Sequence, residues 1–321
     1  MKRIGVLTSG GDASGMNAAV RAVVRTAAAA GCAVVGIRNG FKGLLEEDFC
    51  QLPPRSVADI LQRGGTILGT ARCPEFRQPD GPERAVEIAR RHTLEGMVVI
   101  GGDGSLKGAT AMAKAGLPVV GIPATVDNDI PCSEYTLGFD TAVNVVIEAI
   151  DRIRDTATSH ERTFVVEVMG RESGAIAMES GLAAGAEAVL VPEHPYDLAD
   201  VAERIRSGFQ KGKKHGIVVV AEGAGSGIEI GRSIQAASGL ETRVTVLGHV
   251  QRGGSPTARD RLLAAELGAR AVTILLAGEA TDGQVVVVQR GQIANVPLAT
   301  ALTGQCEIPA ALLDLVEVLA R

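Results

Sequence analysis

Residues 98–105 read VVIGGDGS, in which an apolar run typical of a buried strand passes directly into glycines and one aspartate, where we expect a helix to begin. The glycines let the backbone approach an anion closely, and the first amides of the following helix point at it. Asp103 supplies a hard oxygen of the kind that Mg²⁺ prefers. The junction therefore predicts a phosphate and magnesium site at the end of a strand.

Two further breaks of this kind follow apolar runs, at Thr8 to Gly15 (TSGGDASG) and at Pro123 to Asp129 (PATVDND). A lone GGDG is as often an ordinary strand-to-helix turn, but three polar breaks together favour one catalytic crevice. The sequence contains neither G-x-x-x-x-G-K-[ST] nor a strict G-x-G-x-x-G after a strand. This argues against a P-loop NTPase and against an ordinary nicotinamide dehydrogenase.

Apolar, β-branched runs recur along the chain and alternate with helical stretches. The predicted strands are Ile4–Leu7, Val34–Ile37, Val98–Ile100, Val119–Ile122, Phe164–Val168, Ala188–Val191, Ile217–Val220, Val244–Leu247 and Val285–Val288. The predicted helices include Met16–Ala30, Ser105–Ala115, Thr141–Thr156, Leu198–Lys211 and Arg259–Ala277. The alternation predicts an α/β fold with largely parallel sheets. So many strands favour two Rossmann-like α/β lobes that exchange chain segments, with the active site in the cleft between them.

The amino-acid composition restricts the classes of partner and the cellular location that we expect for this chain. The chain has 321 residues, a net charge of -5 and 2% aromatic residues, with no Trp. An acidic chain with few aromatic side chains lacks the field and the stacking surfaces for nucleic acid, so we expect no nucleic-acid partner. Its five cysteines are scattered, without a C-x-x-C pair, as in reduced cytosolic proteins. No apolar run approaches the length of a membrane span, so we expect a cytoplasmic protein with no membrane partner.

Phosphoryl transfer requires magnesium, cations on the transferred group and a base for the attacking hydroxyl. Asp103 and Asp129 are the candidate magnesium ligands, because Mg²⁺ usually takes one or two carboxylates. Asp127 is the better candidate for the general base. The alternative for TVDND is an Asx-rich turn that caps local amides, and the glycine-bounded carboxylate of the neighbouring motif favours catalysis over it.

The later half of the chain carries cations at predicted strand ends, which are Arg162, Arg171, Arg243, His249 and Arg252. Arginine recognises phosphate in a bidentate manner, so the set suits a phosphorylated substrate better than a neutral sugar. A single arginine at a strand end is more often solvated. Glu222, at the end of IVVVAE, is placed to accept hydrogen bonds from sugar hydroxyls.

Several blocks together resemble the bacterial ATP-dependent phosphofructokinases, which phosphorylate fructose 6-phosphate at its 1-position. The blocks, in the family's order, are TSGGDASGMNAAVR, RGGTILGTAR, VVIGGDGS, IPATVDNDI, VVEVMGR, AEG and LGHVQRGGSP, and the likeness runs from Lys2 to about Ala277. It implies glycolytic formation of fructose 1,6-bisphosphate from fructose 6-phosphate and ATP with Mg²⁺. The alternatives are tagatose 6-phosphate as acceptor, pyrophosphate as donor, another GGDG kinase for NAD or lipid, and a sensor without turnover.

The resemblance also assigns residues. The ATP phosphates would be surrounded by Gly11, Arg72, Cys73, Gly102, Asp103, Gly104 and Ser105, with Asp103 on magnesium. The catalytic residues would be Thr125, Asp127, Arg171 and Arg72, with Asp127 as proton acceptor and Arg171 near the transferred group. Fructose 6-phosphate would be held by Thr125, Asp127, Met169, Gly170, Arg171, Glu222, His249 and Arg252. Arg162 and Arg243 would reach its 6-phosphate from a neighbouring subunit, and the family is typically a homotetramer.

Domains, donor and regulation are implied in the same way. Residues 1–138 with 256–303 would bind ATP, and residues 139–255 with 304–321 would bind fructose 6-phosphate. Relatives that use pyrophosphate usually have Asp at the position of Gly104 and Lys at that of Ala124, so ATP is the expected donor. An effector pocket for ADP or phosphoenolpyruvate would use Arg21, Arg25, Arg55, Arg154, Gly185, Glu187, Lys211 and Lys213, although basic residues of this kind are also typical of a solvated surface. Phe41 is a candidate adenine contact or, alternatively, a core residue.

Overall fold

The computed structural model describes residues 1–304 and 306–320 and contains all nine predicted strands together with two more. The strands are β1 (Arg3–Ser9), β2 (Ala33–Ile37), β3 (Phe49–Gln51), β4 (Met97–Gly101), β5 (Val119–Pro123), β6 (Thr163–Val168), β7 (Ala188–Leu190), β8 (Gly216–Ala221), β9 (Thr242–Val246), β10 (Gln284–Gln289) and β11 (Gln292–Pro297).

Helices follow most of the strands. They are α1 (Met16–Ala29), α2 (Gly40–Leu45), α3 (Gly81–Arg91), α4 (Asp103–Lys114), α5 (Phe139–His160), α6 (Ala175–Ala183), α7 (Leu198–Gln210), α8 (Gly227–Ser238), α9 (Ala258–Ala277), α10 (Leu298–Ala301) and α11 (Ala310–Leu319). Short 3-10 helices span Glu75–Arg77 and Gly248–Arg252. None of the helices in the described part of the chain is long and apolar enough to cross a membrane.

The chain divides into two compact units, each made of several chain segments. The first unit comprises Met1–Thr125, Asp129–Thr141 and Arg252–Gln305. Its seven-stranded sheet has the order β11-β10-β5-β4-β1-β2-β3, with parallel pairing from β10 to β2 and an antiparallel strand at each edge. Strands buried on both faces read as continuous apolar runs, which is why the sequence predicted them.

The two unpredicted strands lie at these antiparallel edges. β3 is three residues long and half exposed, and β11 (QIANVP) is half-buried along most of its length. The β10–β11 hairpin turns at Arg290 and Gly291, both with positive φ (52° and 70°), as the tight primed turns of hairpins require. Short edge strands need no continuous apolar run, so they carry no such signal in the sequence.

The second unit comprises Val126–Asn128, Ala142–Gln251 and Cys306–Arg321. Its four strands, in the order β7-β8-β6-β9, are all parallel. Val165, Val218 and Ile234 are fully buried in its core, between the sheet and α7 and α8. Because the strands are parallel, their carboxyl ends all lie at the same end of the sheet.

Hydrogen bonds explain where the first unit ends, a few residues away from the boundaries expected at 138 and 255. The Asp260 carboxylate accepts bonds from the amides of Gly138 and Thr141, both at 2.9 Å, so the start of α5 belongs with α9. The Ser14 hydroxyl donates to the Gly254 carbonyl at 3.0 Å, which joins residues 252–255 to the first unit.

Candidate active site

The loops after β1 and β4, and the loop after β5 as far as Thr125, lie together at the carboxyl ends of these strands in the first unit. The Ala124 amide donates to the Gly101 carbonyl at 3.0 Å. A Cβ atom added to Gly102 would lie 3.3 Å from the Cβ of Thr125, and one added to Gly10 would lie 3.1 Å from the Ser105 hydroxyl. The three loops therefore begin side by side, because β1, β4 and β5 are parallel neighbours in the sheet.

A fourth segment, RGGTILGTAR, packs onto the loop after β1. The Thr70 hydroxyl donates to the Gly10 carbonyl at 2.6 Å, and the Thr8 hydroxyl donates to the Gly69 carbonyl at 2.9 Å. These bonds bring the exposed Arg72 and the half-buried Cys73 to the same region of the first unit. Burial raises the pKa of the Cys73 thiol, so this side chain stays protonated near neutral pH.

Asp103 and Gly104 form the first turn of α4 and present its unpaired amides. A Cβ atom added to Gly104 would meet no atom within 4 Å, so open space lies beside these amides. The positive end of a helix dipole in open space is a suitable place for a nucleotide phosphate. The Asp103 carboxylate lies 2.8 Å from Lys107 Nζ, an exposed pair that an incoming ion can replace at little cost.

The carboxylates suit a magnesium ion that arrives with a nucleotide. Among the described residues, no group of three His, Cys, Asp or Glu side chains could hold a metal by itself. Mg²⁺ commonly takes one or two protein carboxylates and completes its shell with phosphate oxygens and water. Asp103 and Asp129 both belong to the first unit, and they stay the predicted magnesium ligands.

Arg252 supplies a cation to the loop after β1. Its guanidinium lies so close to Gly11 that an added Cβ would be 2.0 Å from Nη1, and Nη1 donates to the Asp12 carbonyl at 3.2 Å. Only glycine at position 11 allows this approach.

Asp127 and Arg171 form an ion pair within the second unit. The distance from Arg171 Nε to Asp127 Oδ2 is 3.4 Å, with the aspartate side chain 2% exposed and the arginine side chain 64% exposed. Arg171 and Asn128 both have positive φ, 54° and 49°, so the chain turns sharply at each of them. The pair places a cation beside the carboxylate that the sequence predicts as the general base.

Glu222 holds the turn that carries Arg171. One oxygen of its carboxylate accepts bonds from the amides of Gly170 (3.2 Å) and Arg171 (2.8 Å). Gly170 has a φ of 142°, and a Cβ on Gly223 would lie 2.0 Å from the Arg171 carbonyl oxygen. Glu222 therefore positions the arginine loop, a role that its place at a strand end did not reveal.

Arg162 and Arg243 lie at the opposite end of the same sheet. Arg162 directly precedes β6 and Arg171 follows it, so at about 3.3 Å per residue their backbones are on the order of 20 Å apart. Arg243 is in register with Phe164, at the Arg162 end. His249 follows β9 at the other end, as Arg171 follows β6. Within one chain, the predicted sugar-phosphate residues of the second unit thus form two separate groups.

Comparison with known proteins identifies the family. A sequence model of the family described as Phosphofructokinase matches residues 3–275. The chain belongs to the phosphofructokinase family. A protein of Bacillus mycoides (strain KBAB4) named ATP-dependent 6-phosphofructokinase is 56% identical over 302 residues, which cover 94% of each chain. The predicted family and the predicted α/β fold are thereby confirmed.

Solved phosphofructokinases have the same fold. A phosphofructokinase of Saccharomyces cerevisiae matches with a TM-score of 0.88 and 35% identity over 94% of this chain, which spans 45% of the yeast chain. A pyrophosphate-dependent phosphofructokinase of Marinobacter aquaeolei matches with a TM-score of 0.86 over 97% of this chain and 86% of its own. Its identity is 24%, so this second likeness shows the fold alone.

The effector residues expected from the phosphofructokinase resemblance fall in both units. In the second unit, Glu187 is buried and lies 3.4 Å from Lys213 Nζ. Arg154 lies 3.1 Å from His215 Nε2 and also donates to the Ala184 carbonyl, next to Gly185. Lys211, exposed, follows α7. In the first unit, Arg21 and Arg25 lie on α1 and Arg55 on an exposed loop.

One residue that supports the site, Gln251, was not singled out from the sequence. Gln251, almost fully buried, accepts a bond from the Met169 amide at 3.2 Å and donates to the Gly248 carbonyl at 2.9 Å. It thereby links the loops after β6 and β9. Phe41 is 6% exposed and stacks on Phe76 with ring centroids 4.2 Å apart, as expected for a core residue, the alternative that the sequence left open for it.

Proposed function

We propose that this protein transfers the γ-phosphoryl group of ATP to the 1-hydroxyl of fructose 6-phosphate, the glycolytic reaction that gives fructose 1,6-bisphosphate. The relative named ATP-dependent 6-phosphofructokinase supports this activity. The observation that carries it is the position of Asp127. This buried carboxylate pairs with Arg171 and is two residues along the chain from Thr125, which packs against Gly102 of the GGDG loop.

The proposed reaction uses groups of this chain at each step. The Asp127 carboxylate takes the proton of the 1-hydroxyl as that oxygen attacks the γ-phosphorus. The bond from the γ-phosphorus to the bridging oxygen breaks, and ADP leaves with the electron pair. Arg171, next to the base, and the amides at the start of α4 stabilise the negative charge on the phosphoryl oxygens.

Magnesium is part of the proposal. Asp103, with Asp129, would hold it, and the bound ion would neutralise phosphate oxygens of the nucleotide. Arg72, Cys73, Gly11 and Ser105 would complete the nucleotide-binding surface, and Arg252 would face the sugar phosphate.

ATP is the proposed donor because of the space at Gly104. Nothing lies within 4 Å of an added Cβ there, so a nucleotide α-phosphate has room. An aspartate in that space would repel it.

We further propose an assembly, a homotetramer, in which sites are shared between copies. Arg162 and Arg243 are held at the opposite end of the β6–β9 pair from Arg171, so they cannot join it around one sugar phosphate in the same chain. A second copy would bring them to that site, which makes the site complete only in the oligomer.

We also propose that the predicted effector residues regulate the enzyme. Glu187 with Lys213, and Arg154 in the same unit, offer a charged pocket edge for ADP or phosphoenolpyruvate. Saturation curves for fructose 6-phosphate with and without each effector test it. Unchanged half-saturation with both would rule the pocket out.

The activity is tested by a coupled assay for ADP release, with fructose 6-phosphate present or omitted. We expect release that depends on the sugar phosphate and on Mg²⁺. Tagatose 6-phosphate and pyrophosphate serve as alternative acceptor and donor. Release independent of the sugar phosphate, or a pyrophosphate rate equal to the ATP rate, would contradict the proposal.

A further inference from the structure

We propose that Glu241 is a positioning residue that fixes the spacing of Arg162 and Arg243, so that two guanidinium groups form one receptor for a sugar phosphate bound to another copy. The inference rests on the proposed function, in which these arginines bind the 6-phosphate. Nothing in the sequence motifs pointed to this glutamate.

The backbone around Glu241 is fixed by the sheet. Glu241 directly precedes β9, and its carbonyl accepts a bond from the Thr163 amide at 3.0 Å. Thr163 is also in register with Thr242. The residue that follows Arg162 is therefore bonded directly to Glu241, which sets the distance between the arginine and the carboxylate.

The Glu241 carboxylate then bridges the two arginines. Its Oε2 accepts from Arg162 Nε at 2.8 Å, and its Oε1 accepts from an Nη of Arg243. A guanidinium has five N–H donors, so each arginine keeps donors for a phosphate while it is bound to Glu241. A carboxylate with one arginine on each oxygen is thus a spacer between two phosphate-binding groups.

The charge balance of this cluster favours an anion. Arg162 precedes β6 and Arg243 belongs to β9, so both cations lie at the same end of this strand pair. The hydrogen bond from Arg162 is the largest of the causes that lower the pKa of Glu241, so the carboxylate is ionised at working pH. Two guanidinium groups and one carboxylate leave a net positive charge for the phosphate.

Two effects of Glu241 on phosphate binding oppose each other. Its negative charge repels the phosphate, but the side chain is 44% exposed, so the surrounding water weakens this repulsion. Without Glu241, two long arginine side chains would have to lose their rotamer freedom when the phosphate binds, and arginine has among the largest such losses. The benefit of holding the two arginine side chains in place should therefore outweigh the repulsion between Glu241 and the phosphate. Removal of the carboxylate should then weaken substrate binding.

The 6-phosphate does not react, so its contacts are the same in the ground and transition states. Loss of such uniform binding raises KM and leaves kcat unchanged. We expect Glu241→Ala to raise KM for fructose 6-phosphate by on the order of tenfold, with KM for ATP unchanged. Glu241→Gln should have an intermediate effect, because its amide oxygen can serve only one arginine and its amide nitrogen is a donor.

The matched control is Glu203→Ala, an exposed glutamate of α7 that also pairs with an arginine, Arg206, in the same unit. It should leave both KM values unchanged. Thermal unfolding and sedimentation of each variant test whether the fold and the assembly are intact. If Glu241→Ala does not fold, the Gln variant carries the test.

Arg162→Ala and Arg243→Ala, measured alongside, distinguish a wrong role for the two arginines from a wrong role for Glu241. If neither raises KM for fructose 6-phosphate, the proposed role of the arginines is wrong. If both raise it while the Glu241 variants leave it unchanged or lower it, the arginines bind the phosphate and the inference about Glu241 is overturned. An increase in KM in all four variants, with kcat unchanged in the Glu241 variants, supports it.

Discussion

Arg171 Nε lies 3.4 Å from Asp127 Oδ2, and this contact joins a mostly exposed cation to a buried anion. The buried carboxylate is held in place, while the arginine has one side directed to it and the rest toward solvent. In the proposed reaction the pair acts on both partners of the phosphoryl transfer, with Asp127 as the base and Arg171 as the charge-stabilising cation.

Asp127→Asn should abolish proton acceptance and preserve the shape of the side chain. We expect kcat to fall by at least about 10²-fold, because removal of a general base typically costs that much or more. Binding of fructose 6-phosphate, measured by calorimetry, should change little. Asp151→Asn, an exposed aspartate of α5, is the control and should keep full activity. A kcat for Asp127→Asn close to the parent value would contradict the assignment.

Gly104→Asp should weaken the use of ATP without loss of stability. An added Cβ atom meets no atom within 4 Å, so we expect the thermal midpoint to stay the same, while a carboxylate at the start of α4 repels the nucleotide phosphates. We expect a higher KM for ATP. Gly104→Ala should fold equally well and retain more of the ATP affinity. An aspartate variant with parental ATP kinetics would show that the phosphates bind elsewhere.

Gly223→Ala should impair catalysis from outside the reacting groups. Its Cβ would lie 2.0 Å from the Arg171 carbonyl oxygen, so the turn that carries Arg171 must shift. A displacement of about 1 Å near a reacting group can cost on the order of 10²-fold in rate. Steady-state kinetics measure this. An unchanged kcat would mean that the Arg171 turn relaxes without consequence.

Stability should depend on pH through Glu47, which lies 2.6 Å from His92 Nε2 and 2.9 Å from Arg91. The hydrogen bond with His92 is the largest of the causes that lower the pKa of Glu47 below its usual 4.5. A carboxylate with a lowered pKa in the folded state contributes stability above its unfolded pKa and loses it as the pH falls through the folded value.

Glu47→Gln should therefore be less stable than the parent protein near pH 6, and the difference should shrink below about pH 4. Urea unfolding at a series of pH values measures it. Glu46→Gln, whose ion pair with Lys42 spans 3.8 Å on the surface, is the control. A difference that is independent of pH would contradict the role of Glu47.

The sequence predicted the strands and the loops after them because these depend on local patterns. An apolar run such as Val98–Ile100 and a glycine break after it are visible in a few residues. The boundary of the first unit depends instead on Asp260, which bonds residues more than a hundred positions earlier in the chain.

The positioning residues of the site were equally difficult to predict from the sequence. Gln251 accepts a bond from the Met169 amide, 82 residues earlier in the chain. Glu241 binds Arg162, which is 79 residues earlier, and joins it to Arg243. Only the parallel pairing of β6 with β9 brings these segments together. The roles of the site residues themselves stay predictions until the variants are measured.

The most direct test of site sharing mixes two defective variants. One is Asp127→Asn, and the other is the double variant Arg162→Ala with Arg243→Ala; they are unfolded together in denaturant and refolded. If Arg162 and Arg243 serve the site of another copy, hybrids gain sites with both halves intact, and activity should recover to about a quarter of the parent value by random pairing across a two-fold interface. Parent protein taken through the same treatment sets the scale, and a mixture no more active than its separate components would contradict the account.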